Sequence, residues 1–297
     1  MTFEQLRIFV SVAACLHVTR AAKELGLTQS AVSASISALE ARHGTRLFDR
    51  VGRRIELSEV GRIFLPEAKA ILARVEGAHL LLDDLSGETR GRLRLHASQT
   101  VASYWLPERM LAMHEHHPSV TLELTVGNTA QVAAAVLEGG ADLGFVEGEV
   151  TQQDLLRQVV ARDGLVMVAA PDHPVIAYSH VPPEAYVEFD WILREHGSGT
   201  RSEFETHLRK SGISPESLSV VLELPSNEAV LNAVSSGRVV SVLSERAAGG
   251  AAAAGRVSMI RIDCHDRPFA VLSHPQRYRT RAVTAMLELI DKTRGNF

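Results

Sequence analysis

Residues 27–61 read LTQSAVSASISALEARHGTRLFDRVGRRIELSEVG. Thr28 is placed to cap a helix in which Val32, Ile36 and Leu39 face inward, while Gln29, Ser30, Ser33, Ala34 and Ser37 share the opposite side. That outer side is polar and made of small side chains, so nothing bulky keeps the backbone out of a DNA major groove. The bland alternative is a solvated helix face, and the flanking sequence decides between them. Upstream, Thr2 and Gln5 have capping-box spacing and start a first helix with Phe3, Leu6, Phe9, Val10 and Ala13 on one face. Thr19 is placed to cap a short second helix, Arg20 to Leu25, which ends at Gly26. A short helix, a glycine turn and a capped third helix have the spacing of a helix-turn-helix. Downstream, two short apolar stretches surround a glycine turn carrying Arg50, Arg53 and Arg54. This predicts a hairpin wing whose guanidinium groups reach phosphates or a narrow minor groove.

The run is similar to the winged helix-turn-helix of LysR-type transcriptional regulators. The likeness extends over the whole chain in order: head, long linker helix, effector domain. It implies that Thr28, Gln29, Ser30 and Ser33 face bases or nearby phosphates and that Arg50, Arg53 and Arg54 sit on the wing. Arg20 and Ser37 complete the candidate DNA-facing set. Relatives often place Arg, Lys or Gln where this chain has Ala34, Ser35 and Ser37, which shifts phosphate neutralisation towards the wing.

Composition agrees with a regulator that binds an anion at its head. The 297 residues suit two or three domains, and a hydrophobic share of 45% is enough to build cores. Residues 1–65 hold nine Arg/Lys against six Asp/Glu, leaving 22 against 29 for the rest of the chain. Cys15 and Cys264 cannot make a disulfide framework and read as small hydrophobes. The opening MTFEQLRIF lacks the basic, apolar, small-residue order of a signal peptide, and no apolar run is long enough for a membrane span, so a cytoplasmic location is expected.

Three segments are expected: a winged helix-turn-helix over 1–58, a linker helix over 59–87 and an effector-binding domain over 91–297. Ser58 is placed to cap the linker helix. Its stripe of Phe64, Leu65, Ala68, Ile71, Leu72, Val75, Ala78, His79, Leu82 and Leu85 spans about 28 residues, or roughly 40 Å. Such a rod needs a partner, and pairing in a homodimer or homotetramer covers it most simply. Pro66 is expected to kink it.

From Arg92 strands alternate with helices, which predicts an α/β effector domain of two lobes, about 91–161 with 267–297 and about 162–266. The first lobe reads as βαβαβ with a parallel sheet. The resemblance implies a periplasmic-binding-protein-like form. Ligands of open α/β sheets sit outside the carboxyl ends of the strands. The residues that follow those ends are Ser98 and Thr100, then Asn128 and Thr129, Glu147, the run Ser198, Gly199, Thr200 and Arg201, and Asn227. Ordinary helix capping explains any one of them. Together they line a cleft with helix N-termini, which suits a small anionic effector. Several of these segments also resemble the sulfur-assimilation and carbon-fixation branches of the LysR family.

No cofactor, metal or catalytic centre is expected. His114, His116 and His117 lack companion ligands, and no nucleophile elbow or HExxH pair is present. The run Ala247 to Gly255 reads as a flexible loop or frayed helix. The sequence therefore describes a regulator that binds double-stranded promoter DNA under control of a small anion. Two alternatives stay open: an effector-independent DNA-binding protein, and a cytoplasmic small-molecule binding protein with an incidental head.

Overall fold

The Thr2 hydroxyl accepts the Gln5 amide at 3.2 Å while the Gln5 side chain accepts the Thr2 amide at 2.9 Å, and helix α1 (Phe3–Cys15) starts from this box. Helix α2 (Val18–Leu25) begins earlier than predicted. His17 rather than Thr19 is its cap, the imidazole Nδ1 accepting from the Arg20 amide at 3.4 Å. A ring nitrogen serves as well as a hydroxyl, which residue-type preference alone does not anticipate. Gly26, at φ 67°, turns the chain into α3 (Gln29–His43), capped by Thr28.

The computed structural model describes residues 1–51, 54–84, 89–150, 152–178 and 180–293, and it divides into two units, Met1–Ser86 and Gly87–Phe297. In the first unit, Phe9 is fully buried between Phe48 and Phe64, and Leu6, Val12, Val32, Ile36 and Leu39 pack around it. The wing strands β1 (Phe48–Val51) and β2 (Arg54–Leu57) pair antiparallel. The Glu40 carboxylate accepts the Leu47 and Phe48 amides at 2.7 and 3.2 Å and so fixes the wing to α3. Ser58 caps α4 (Glu59–Asp84), accepting from the Gly61 amide at 2.9 Å and donating to the Arg46 carbonyl at 2.7 Å. The helix continues through Pro66.

Gly61 is where this joint tolerates no side chain. A Cβ there would lie 2.1 Å from the Leu47 carbonyl oxygen. Gly61→Ala is expected to cost the head about 1–3 kcal/mol through forced backbone movement. Gly77→Ala, where a Cβ meets nothing within 4 Å, should instead be neutral or mildly stabilising. Urea unfolding of the two variants checks the pair.

In the second unit the chain forms β3 (Gly91–Ser98), α5 (Gln99–Tyr104), α6 (Leu106–His116), β4 (Val120–Gly127), α7 (Thr129–Glu138), β5 (Leu143–Glu147) and β6 (Leu156–Asp163). It then crosses at Gly164 into β7 (Leu165–Ala169), β8 (Asp190–Arg194), α8 (Gly199–Lys210), β9 (Ser219–Leu224), α9 (Asn227–Ser236), β10 (Val240–Ser244), α10 (Glu245–Ala253) and β11 (Ser258–Arg261). It crosses back into β12 (Arg267–Ser273) and ends in α11 (Arg281–Thr293). The sheets are ordered β4-β3-β5-β12-β6 and β11-β7-β10-β8-β9.

Two expectations need correction. The sheets are mixed rather than wholly parallel. β3 runs parallel to β4 and β5, but β12 is antiparallel to both β5 and β6, and β7 is antiparallel to β10 and β11. The strands beside the two crossings carry the chain in opposite directions, so the sheets cannot be all-parallel. The Ala/Gly run at 247–255 is mostly helix α10, capped by Ser244, with Ala247 buried and Ala248 and Ala251 packed against the second sheet. Small side chains let that helix lie close to the strands.

Candidate DNA interface and effector cleft

On α3, Val32, Ile36 and Leu39 are buried, while Gln29, Ser30, Ala34 and Ser37 are exposed and Ser33 is half-buried. Thr28, also exposed, caps the Ala31 amide at 3.2 Å and lies 3.1 Å from the Ser30 hydroxyl. The solvent-facing strip of α3 is therefore a ribbon of small hydroxyl and methyl groups with one amide at its start. Arg20 is exposed on α2, 3.5 Å from Glu24. Arg50 and Arg54 are exposed on the two wing strands, where Arg50 pairs with Ile55 and Arg54 with Val51. Arg53 lies outside the described residues, as does Leu85 of the linker stripe.

In the second unit the candidate residues collect around one buried carboxylate. Glu147 ends β5 and is 2% exposed. Its Oε2 accepts from the Ser98 hydroxyl, its main-chain oxygen accepts from the Thr129 hydroxyl at 2.9 Å, and its Oε1 lies 3.8 Å from Arg267 Nη1. Arg267, with no side-chain exposure, donates to Asp163 Oδ2 at 2.9 and 3.1 Å and to the Thr200 hydroxyl at 2.8 Å. Asp163 also accepts from Ser244 at 3.0 Å. One guanidinium thus ties the β6–β7 crossing to the first turn of α8 and stands beside the β5 carboxylate.

The lobes close directly on each other. The Ala130 amide donates to the Gly197 carbonyl at 3.3 Å, and a Cβ on Gly199 would lie 2.2 Å from the Glu147 carbonyl oxygen. Farther along, the Asn227 amide donates to Gln99 Oε1 at 2.6 Å, and the Asn227 side chain donates to the Thr100 hydroxyl at 3.3 Å. Gln99 and Tyr104 both donate to Glu228 at 3.2 Å. Burial and the neighbouring Glu228 charge push the Tyr104 hydroxyl pKa upward.

Four helix N-termini meet this cleft, and they differ. Asn128 closes a full capping box on α7, and Ser226 caps α9 through the Ala229 amide at 3.0 Å. Ser98 and Ser198 precede α5 and α8 without capping them. Ser98 gives its hydroxyl to Glu147. The Ser198 hydroxyl is buried with no hydrogen-bond partner among the described residues.

The structure thus brings Ser98, Thr129, Glu147, Ser198, Gly199 and Thr200 together, with Thr100 and Asn227 at the adjoining latch. Asn128 is half-buried and donates weakly, at 3.4 Å, to Glu195 and the His196 carbonyl. Arg201 is engaged elsewhere, by Glu205 at 2.8 Å, by Glu223, and by the Arg194 carbonyl at 3.0 Å. The Arg201 hydrogen bond holds the Glu223 carboxyl below the usual range. Sequence reasoning missed Arg267, Asp163, Gln99 and Arg194, whose Nη1 donates to Asn227 at 2.6 Å. Searching the carboxyl ends of strands could not find Arg267, because β12 is antiparallel and presents its amino end at the cleft. Among the described residues no group of three or more His, Cys, Asp or Glu could hold a metal ion, and no described helix is long and apolar enough to cross a membrane.

Residues 3–62 match the family model described as bacterial regulatory helix-turn-helix protein, lysR family, and residues 86–294 match the LysR substrate binding domain. The HTH-type transcriptional regulator YeiE of Escherichia coli K12 is 34% identical over 98% of this chain and 97% of its own length. The HTH-type transcriptional regulator CbbR of Rhodospirillum rubrum is 34% identical over 87% of this chain and 85% of its own. Among solved structures, the CcmR regulatory domain of Synechocystis in complex with 2-PG is 27% identical, with a TM-score of 0.64 over 70% of this chain and 99% of that one. A capped helix with a small-residue outer face, two lobes closed on a cleft, and end-to-end likeness to these regulators agree: the chain belongs to the LysR family and is a DNA-binding transcriptional regulator.

Proposed function

We propose that promoter binding by this regulator is controlled by a small anion held between the lobes at the N-terminus of α8, beside Ser98, Thr129, Ser198, Gly199 and Thr200. The carrying observation is the buried, unpartnered Ser198 hydroxyl at an uncapped helix start, since a buried polar group without a partner costs about 1–3 kcal/mol and a ligand oxygen would satisfy it. The relative solved with 2-PG supports a small-molecule effector of this kind. Better binding to the closed lobes would shift DNA occupancy through a coupling of about 1–3 kcal/mol. The chain acts as a homodimer or homotetramer in the cytoplasm, and Ile63 and Leu82, 68% and 66% exposed on α4, are apolar surface that a second copy would cover. Thermal-shift screening of small inorganic and organic anions, followed by retardation of the upstream DNA with and without each hit, tests the reading. A hit that Ser198→Ala abolishes supports it; no shift with any anion refutes it.

For DNA contact, the outer side of α3, with its cap Thr28, Gln29, Ser30, the half-buried Ser33 and Ser37, reads the major groove, and Arg20, Arg50, Arg53 and Arg54 hold phosphates. Arg54→Ala is expected to lower the slope of log affinity against log salt by about 0.9, the value of one lost phosphate contact. Ser33→Phe should weaken operator binding far more than binding to random DNA, because it obstructs base approach while leaving wing contacts in place. Fluorescence-anisotropy titrations over a salt series measure both. An unchanged slope, or equal losses on the two DNAs, would remove the corresponding residue from the interface.

A further inference from the structure

Glu147 lies within the anion site just described, and a second negative charge there needs an account. A carboxylate has about four lone-pair positions for hydrogen bonds. Among the described residues the Glu147 carboxylate receives one hydrogen bond, from Ser98, although the residue is 2% exposed. Arg267 does not make up the deficit. Its donors go to Asp163 and Thr200, and it stands 3.8 Å from Glu147, beyond hydrogen-bond reach. The two buried carboxylates, Glu147 and Asp163, share this one buried guanidinium. Glu203 on α8 lies close by, where a Cβ on Gly148 would be 3.3 Å from its Oε1, and burial raises its pKa. The site therefore offers donors on one side, from Ser198 and the first turn of α8, and unsatisfied acceptor capacity on the other.

We propose that Glu147 is a specificity-determining residue that restricts the effector to small oxyanions bearing their own hydrogen-bond donor, such as a hydrogen oxyanion or a 2-hydroxy acid, and rejects oxyanions without a proton to give. This rests on the anion reading above. An oxyanion without a donor would set its lone pairs against those of the carboxylate and leave the remaining acceptor positions of buried Glu147 unfilled. A site built to hydrogen-bond a donor rejects the analogue lacking it far more strongly than an apolar site rejects a misfit.

Two ligand pairs isolate the donor. Hydrogen phosphate and sulfate have the same shape and charge, and only the first carries a proton. Glycolate and acetate differ by one hydroxyl. Calorimetric titration of the full chain at one neutral pH, in a buffer free of other oxyanions, compares the members of each pair. The donor-bearing member of at least one pair is expected to bind roughly tenfold or more tightly, and the pair that responds distinguishes a tetrahedral oxyanion from a carboxylate. In Glu147→Gln, whose amide donates, the preference should collapse or reverse towards sulfate or acetate. If anions bind but in neither pair does the donor-bearing member bind the native chain more tightly than its partner, the inference fails while the anion reading stands. If no member of either pair binds, both fail. A native preference that survives in a folded Glu147→Gln removes the assignment to this residue. The native comparison alone remains decisive should the variant not fold.

Discussion

Arg267→Met is expected to destabilise the effector unit by about 3–5 kcal/mol, the usual consequence of removing one partner from a buried ion pair. The side chain has no exposure, and its loss takes from Asp163, 1% exposed, its closest cation and two hydrogen bonds, leaving only the half-buried Arg246 at 3.6 Å to offset the charge. It also removes the donor to Thr200 and the charge beside Glu147. The double variant Arg267→Met with Asp163→Asn should recover much of the loss, because two neutral groups then face each other at the crossing and the desolvation cost of the poorly compensated carboxylate disappears. Chemical denaturation of the native chain, both single variants and the double variant forms the cycle. A cost below about 1 kcal/mol for Arg267→Met would mean that water enters the crossing, and that Arg267 is not the tie between β6, β12 and α8.

How far this arrangement can be read from sequence depends on whether a residue's role follows from its near neighbours. Thr2, Gln5, Thr28 and Gly26 act within four residues of their own position, and their roles were legible. The inward set of α3 was legible because Val32, Ile36 and Leu39 repeat at the helical period. His17 was overlooked because its ring nitrogen does what a hydroxyl usually does at a helix start. β6 was missed because LRQVVARD is exposed along most of its length and does not alternate. α10 was read as low complexity, since alanine carries little periodic signal until a sheet is present to bury it.

The cleft divides in the same way. Polar residues after parallel strands could be collected by a rule about strand ends, and that rule found Ser98, Thr129, Glu147 and Thr200. It also attracted attention to Arg201, whose charge is used within its own lobe by Glu205 and Glu223. Arg267 is separated by 104 residues from Asp163 and by 67 from Thr200, so nothing local marks it. Its importance follows from the second crossing of the chain, which places the start of β12 opposite the end of β6, with Arg267 and Asp163 in register. The residues that gather at the cleft could be found locally. The group that links the cleft to the crossings is defined by topology.

The same topology makes Gly199 the residue through which lobe closure is most easily disturbed. It stands at the first position of α8, where a Cβ would lie 2.2 Å from the Glu147 carbonyl oxygen and 2.7 Å from the Thr129 hydroxyl. The first of these is backbone and cannot swing aside. Gly199→Ala is therefore expected to push the lobes apart without unfolding either sheet, since each lobe keeps its own core of buried strands and helices. The amides of Ala130 and Asn227, which donate across the cleft to Gly197 and Gln99, report closure directly. Their hydrogen exchange should accelerate by roughly tenfold to hundredfold, while the amides of β8 keep native protection. If the effector prefers the closed lobes as proposed, apparent affinity should fall as the closed population falls, with effector-free DNA binding retained. Native exchange at Ala130 and Asn227 in Gly199→Ala would show that the contact relaxes locally and that closure does not depend on this glycine.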